Sequence, residues 1–281
     1  MREPTTILIP STDGVHVAAH DYGGEGHLTF FVHGTGLVSR MWEPIMDLLG
    51  PAIRPVGIDL RAHGASTYPD DVEFHDHRMV SDMCAVLDHF DADGAWAVGH
   101  SMGGGTSILS SLERPGALSK LWVYEPIIFE REQERPEGLF DFVEATKKRR
   151  PVYDSRADVI ARYSSRPPLD EPHIDCLSAY VQHGFVDQDD GTVRLACDPL
   201  LESRAFEQYL QDGWDRLPEV TIPVRVGFGT GSDDRPATAG PAIAARMPLG
   251  DADPFEGSDH FGCFGPLERA ADSIRTWLFG S

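Results

Sequence analysis

The chain has 281 residues, 41% hydrophobic and 25% charged, enough apolar material for a substantial core, and it is neither collagen-like, disordered nor disulfide-stapled. Its 24 Lys and Arg against 45 Asp and Glu leave a formal charge of −21, which repels phosphate backbones and anionic lipid surfaces. No nucleic acid and no membrane is therefore the expectation for partners.

No apolar run approaches the roughly 20 residues of a bilayer span. Met1 to Ser11 holds one Arg and a short Ile7-Leu8-Ile9 run without the h-region or cleavage site of a signal peptide, so the expectation is a cytoplasmic protein. Cys84, Cys176, Cys197 and Cys263 are far apart and form no CxxC pair, which predicts free thiols rather than a disulfide framework or zinc site. The sequence carries no signal of oligomeric state, and neither a metal nor a cofactor is expected.

Short β-branched or aromatic runs alternate with runs of helical period, the pattern of an α/β protein with a mostly parallel sheet. Thr5 to Ile9 and Val15 to Asp21 read as opening strands joined by the turn Thr12-Asp13-Gly14. Leu28 to Val32 is a buried strand running into His33-Gly34-Thr35-Gly36, followed by a helix from Ser39 to Leu49 and a strand from Arg54 to Ile58. The next helix, His77 to Phe90, spaces Met79, Met83, Val86, Leu87 and Phe90 along one face. Ala95 to Val98 is a strand, Ser101 to Leu112 a helix, and Leu121 to Tyr124 a strand.

From Ile127 to Trp214 the alternation breaks into a long, charged, Pro-interrupted stretch that is helical in pieces, which predicts an inserted cap. It then resumes with a strand at Val224 to Phe228, a helix at Ala237 to Met247, a weak strand at Ala252 to Phe255 and a closing helix from Pro266 to Phe279. The expected domains are thus a core over 1–126 and 215–281 and a helical cap over 127–214.

Gly99-His100-Ser101-Met102-Gly103 matches G-x-S-x-G and lies between a predicted strand and a predicted helix. A residue at the apex of so tight a turn needs φ > 0, tolerable only where its neighbours do not crowd it, and Gly99 and Gly103 meet that need. Ser101 would then stand at a helix N-terminus that favours developing negative charge. A serine hydroxyl needs a base to take its proton and an acid to orient the base. Asp233 and Asp234 follow the strand Val224 to Phe228, and His260 follows the last strand, so the chain order is Ser, acid, His.

With these motifs the chain resembles the α/β-hydrolase family. The resemblance rests on His33 to Gly36, on Asp59-Leu60-Arg61-Ala62-His63-Gly64-Ala65-Ser66, on Gly99 to Gly103, on Gly231-Ser232-Asp233-Asp234-Arg235 and on Asp259-His260-Phe261. It implies an eight-stranded sheet with helices on both faces, a Ser-His-Asp triad and a cap after the sixth strand. Asp234, followed by Arg235, resembles the family's G-x-x-D-R pattern. Asp233 is its neighbour, and Glu125, at the end of the strand Leu121 to Tyr124, is a third candidate because some relatives place the acid there.

The assigned roles are Ser101 as nucleophile, His260 as general base and Asp234 as acid, with Asp233 and Glu125 as alternatives. In this fold, backbone N–H groups stabilise the oxyanion. Met102 is expected to supply one and Thr35 the other, with Gly34 and Gly36 as alternatives. His33 is expected to prop that loop, His100 to fill the turn, and Asp59 with Arg61 to form an ion pair or turn network. Phe74-His75-Asp76-His77 reads as a helix start, and Lys147-Lys148-Arg149-Arg150 as a solvated face.

The expected activity is cleavage of a carboxylic ester, lactone or thioester of a small to medium hydrophobic substrate through an acyl-enzyme. Hydrolysis of a C–C bond on a similar triad and a ligand-binding or sensory module on a hydrolase scaffold stand as alternatives.

Overall fold

The computed structural model describes residues 2–128, 138–208, 213–231 and 235–280. The chain opens with β1 (Thr5–Pro10) and β2 (His16–Asp21), an antiparallel pair that turns through Thr12–Gly14, with Asp13 at φ 59°. Then come β3 (His27–Val32), a 3-10 turn at Ser39–Trp42, α1 (Glu43–Leu49), β4 (Ile53–Asp59), α2 (Asp76–His89), β5 (Ala95–His100), α3 (Met102–Glu113) and β6 (Leu118–Tyr124). The predicted helix from Ser39 is therefore split, its first turn being 3-10 and Pro44 opening the α-helix proper. The predicted start at Phe74 to His77 is the start of α2.

Between β6 and β10 lie α4 (Leu139–Lys147), β7 (Val152–Tyr153), α5 (Arg156–Tyr163), α6 (Ile174–His183), β8 (Phe185–Asp187), β9 (Val193–Leu195), α7 (Pro199–Gln208) and α8 (Gly213–Arg216). The stretch is thus mixed rather than wholly helical. Its short strands pair antiparallel in the order β7-β9-β8. The chain closes with β10 (Val224–Gly229), α9 (Arg235–Arg246), β11 (Gly250–Phe255) and α10 (Leu267–Phe279).

The main sheet has eight strands in the order β1-β2-β4-β3-β5-β6-β10-β11, parallel except where β2 meets β1 and β4. Side chains alternate across it with the period of two that a pleated strand imposes. Phe30 and Val32 of β3 join a core with Met79, Met83 and Val86 of α2, Ile108 of α3 and Ile243 of α9. Phe31 between them joins Ile45 of α1, Ile274 of α10 and Leu177 of α6 on the other face. A sheet covered on both sides must be apolar throughout its centre, and Phe30, Phe31, Val32, Ala97 and Val98 are fully buried.

Loops therefore gather functional groups at the carboxyl ends of β3, β5, β6 and β10, where an open parallel sheet offers a crevice. All four cysteines are buried free thiols. Among the described residues no helix is long and apolar enough to cross a membrane.

Candidate active site

β5 ends at His100 and α3 begins at Met102, so Ser101 alone turns the chain, with φ 54° and ψ −121°. A side chain with a Cβ pays about 1–3 kcal/mol for such a conformation, which persists only where its surroundings enforce it. Three backbone bonds do so: Ser101 N–H to Tyr124 O at 2.9 Å, and Gly105 N–H and Ile127 N–H to Ser101 O, each at 3.1 Å. Gly103 is required for the turn to close, because a Cβ there would stand 2.5 Å from His33 O and 2.6 Å from Val32 O.

His260 lies in the turn after β11, and its Nδ1 is 2.6 Å from Glu125 Oε2. A carboxylate oxygen accepts, so Nδ1 carries the proton and Nε2 is the nitrogen left to take one. Glu125 is fully buried, and its other oxygen accepts Gly229 N–H at 2.8 Å. The residue is itself held at φ 42°, with its N–H on Gly227 O at 2.9 Å. Of the three acids the sequence offers, Glu125 meets His260, while Asp233 and Asp234 lie outside the described residues.

His100 does more than fill the turn. Its ring is buried, and Nε2–H donates to the carbonyl of His260 at 2.8 Å with the two rings 4.7 Å apart. Burial, and then the neighbouring His260, hold its pKa well below the usual histidine value, so the ring is neutral and Nδ1 is a bare acceptor. Among the described residues that Nδ1 has no hydrogen-bond partner. Tyr124 Oη fixes the adjacent residue by donating to Asp259 O at 2.9 Å. No sequence signal reveals this, because the position between Gly99 and Ser101 is free in the motif.

The loop after β3 reaches the same place. His33 Nδ1–H donates to Gly34 O at 2.7 Å, and its Nε2 accepts Leu60 N–H at 3.0 Å, so one ring nitrogen props the loop as donor and the other works as acceptor. His63 Nδ1–H donates to Arg61 O at 2.8 Å, and its Nε2 accepts Gly36 N–H at 2.9 Å. That bond engages the Gly36 N–H and sets it aside from the oxyanion candidates. Burial lowers the pKa of His33 and, with His33 nearby, pushes that of His63 down to about 3. Thr35 and Met102, the two residues expected to supply donors, are side by side, with Thr35 Oγ1 donating to Met102 Sδ at 3.4 Å. Gly34 permits this approach: a Cβ there would lie 2.6 Å from His100 Nδ1 and 3.0 Å from Ser101 Cβ.

Asp59 and Arg61 do not pair with each other. Asp59 accepts from Ser39 N–H at 2.8 Å, Ser39 Oγ at 2.7 Å, Ala65 N–H at 3.0 Å and His20 Nε2 at 3.0 Å. Burial opposes its ionisation, but His20, the nearby His33 and the Ala65 N–H hold its carboxyl well below the usual range. Arg61 instead grips Asp82 of α2 through Nε at 2.7 Å and Nη2 at 2.8 Å, both side chains being fully buried.

The basic run is not wholly a solvated face either. Arg149 turns inward to pair with the buried Glu202, and Tyr180 Oη donates to Gly36 O at 3.0 Å, so the segment between β6 and β10 rests on the loop after β3.

The sequence model of the alpha/beta hydrolase family matches residues 30–273. The chain is 32% identical over 136 residues to a bifunctional esterase/perhydrolase of Acinetobacter calcoaceticus, a match spanning about half of each protein, 47% and 49%. It is 25% identical over 265 residues to a non-heme chloroperoxidase of Streptomyces lividans, covering 90% of this chain and 92% of that one. The crystal structure of an E-2-(acetamidomethylene)succinate hydrolase superposes with a TM-score of 0.80 at 20% identity, covering 98% of this chain and all of that one, and so shares the fold.

Proposed function

From the premise that the chain belongs to the alpha/beta hydrolase family, we propose that it is a serine hydrolase cleaving a carboxylic ester through an acyl-enzyme. Ser101 Oγ attacks the ester carbonyl while His260 Nε2 takes its proton. Glu125 holds the imidazole by its Nδ1–H and stabilises the imidazolium that forms. The N–H groups of Met102 and Thr35 meet the oxyanion of the tetrahedral intermediate. The imidazolium then protonates the departing alkoxide, and water, activated by the same imidazole, opens the acyl-enzyme to acid and free serine.

In this reading the described residues between β6 and β10 cover the site, resting on it through Tyr180 on Gly36 O, and their aromatic side chains favour a small to medium hydrophobic acyl or alcohol group. The observation that carries the reading is the 2.6 Å contact of His260 Nδ1 with the buried Glu125, beside a serine held at φ 54°. The esterase/perhydrolase among its relatives supports the ester as the bond attacked.

The test is a fluorophosphonate adduct mapped by mass spectrometry, with a panel of esters turned over by wild type and Ser101→Ala. Label on Ser101 and loss of turnover in the mutant are expected. Label on another residue, or unchanged turnover, overturns the reading.

A further inference from the structure

The turn that carries His260 is gripped from the segment between β6 and β10. Glu171, between α5 and α6, accepts Asp259 N–H through Oε1 at 2.7 Å and Phe261 N–H through Oε2 at 3.0 Å. One carboxylate thus closes on the two amides that flank His260. Two residues further, His173 N–H donates to Phe264 O at 2.7 Å, so the same short stretch holds the turn at a third point.

On its other side the turn is fixed by Tyr124 Oη on Asp259 O and His100 Nε2 on His260 O. These bonds set the backbone, and the hydrogen bond from Nδ1–H to Glu125 sets the ring. A ring 2.6 Å from its acid has no slack, and a displacement of about 1 Å at a reacting group can cost roughly a hundredfold in rate.

We infer that Glu171 is a positioning residue for His260, its carboxylate clamping Asp259 and Phe261 so that the imidazole is delivered to Glu125 and Ser101. The inference rests on the serine hydrolase reading above. It also gives the segment 127–214 a part in setting the base, beyond covering the site.

The clamp stands in an acidic setting. Asp259 of the turn and Glu125 after β6 act electrostatically on Glu171, and Glu171 acts in turn on Tyr124 of β6 and Cys263 of the following 3-10 turn. Half-burial raises the Glu171 carboxyl above its ordinary value, the two amide bonds oppose this, and Asp259 and Glu125 add to the rise. Protonation would place an O–H donor against an amide donor, which Glu171→Gln reproduces at any pH by placing an NH2 there.

The experiment measures fluorophosphonate labelling of Ser101, ester kcat and KM, thermal unfolding, and the downfield proton resonance of His260 Nδ1–H in wild type, Glu171→Gln and Glu171→Ala. The expected results are losses of about tenfold in kcat and labelling rate for Glu171→Gln and about a hundredfold for Glu171→Ala, with KM within about twofold. The Nδ1–H resonance should shift upfield or broaden in both, and the acid limb of the Glu171→Gln rate profile should be shallower by one ionisation.

Should Glu171→Ala fail to fold, the near-isosteric Glu171→Gln decides. Wild-type labelling and kcat retained in a folded Glu171→Gln, with an unmoved resonance, overturn the clamp while leaving the hydrolase reading intact. Absence of Ser101 labelling in wild type would instead bring down the reading on which the clamp rests.

Discussion

Ser101 and Glu125 are the first residues beyond a register pair, His100 opposite Tyr124, on the parallel strands β5 and β6, and both leave the sheet with positive φ, 54° and 42°. A hydrogen bond from Ser101 N–H to Tyr124 O joins the two exits. Two neighbouring strands thus deliver a hydroxyl and a carboxylate to the carboxyl end of the sheet, and His260 arrives from beyond β11 to meet the carboxylate. Glu125→Gln should keep the fold and lower kcat by about 10³- to 10⁴-fold, because an amide in that place no longer holds the imidazole in its working tautomer. Asp233→Asn and Asp234→Asn should leave kcat/KM within a few-fold. Steady-state kinetics on one ester decides between them, and a larger loss in Asp234→Asn than in Glu125→Gln would move the acid role to Asp234.

Two glycines in the site should fail differently when given a methyl group. In Gly103→Ala the new carbon meets the backbone carbonyls of Val32 and His33, which cannot swing aside, so stability should fall by about 1–3 kcal/mol. In Gly34→Ala the new carbon meets the ring of His100 and the Cβ of Ser101. The ring holds the His260 carbonyl, so the expected result is a loss of kcat larger than the loss of stability explains. Chemical denaturation and ester turnover on both variants test this. Equal proportions of lost stability and lost rate would show that Gly34 has no special tie to the reacting groups.

The alternating sheet and the serine turn were legible because each depends on local chemistry: β-branched runs bounded by turn residues, and glycines on either side of one serine. His260 was singled out by its place after the last strand, and there it meets a buried carboxylate. The pairing of His260 with Glu125 was open only as an alternative, because the sequence around Asp234 matches a family pattern and a single Glu before Pro126 does not. The contact is made by the turn after β11 reaching the carboxyl end of β6, which brings together residues 135 apart and has no periodicity to betray it. The small sheet β7-β9-β8 escaped for a different reason, since strands of two or three residues are too short to display a period of two. Arg61 and Asp59 were expected to form an ion pair or a turn network; Asp59 does join a turn network, but the ion-pair partner of Arg61 is set by where α2 packs.

That last pairing makes a prediction about stability. Arg61 and Asp82 are fully buried, and Arg61 also reaches Thr12 Oγ1 at 3.1 Å and Glu73 O at 2.8 Å, tying the β1-β2 turn to α2. Removing Asp82 leaves the buried Arg61 with only the more distant, part-exposed Asp13 at 3.4 Å, so Asp82→Ala should cost up to about 3–5 kcal/mol in urea unfolding. Replacing both, as Arg61→Met with Asp82→Leu, should recover much of it, since the ions no longer need to be desolvated. A cost below about 1 kcal/mol for Asp82→Ala would mean that the pair contributes little to the native state.

Acid should destabilise the fold first through buried histidines rather than through Asp59. His33, His63 and His100 are buried with depressed pKa values, His63 at about 3. Each is neutral in the native state but takes a proton in the unfolded chain below about pH 6.5, so its contribution is complete above that pH and shrinks as pH falls towards the folded value. Each can add a slope of up to about 1.4 kcal/mol per pH unit in that interval. Glu171 and Glu202, with raised carboxyl pKa values caused first by burial, work in the opposite sense and reduce the net slope. Asp59 behaves otherwise: its folded value lies below the ordinary one, so its contribution stays whole above about pH 4 and fades only in stronger acid. Urea unfolding between pH 7 and pH 4.5 should therefore show falling stability and net proton uptake on unfolding, and His63→Asn should flatten that fall by about one proton. A slope unchanged in His63→Asn would mean that the ring bonded to Gly36 N–H is already charged in the native protein.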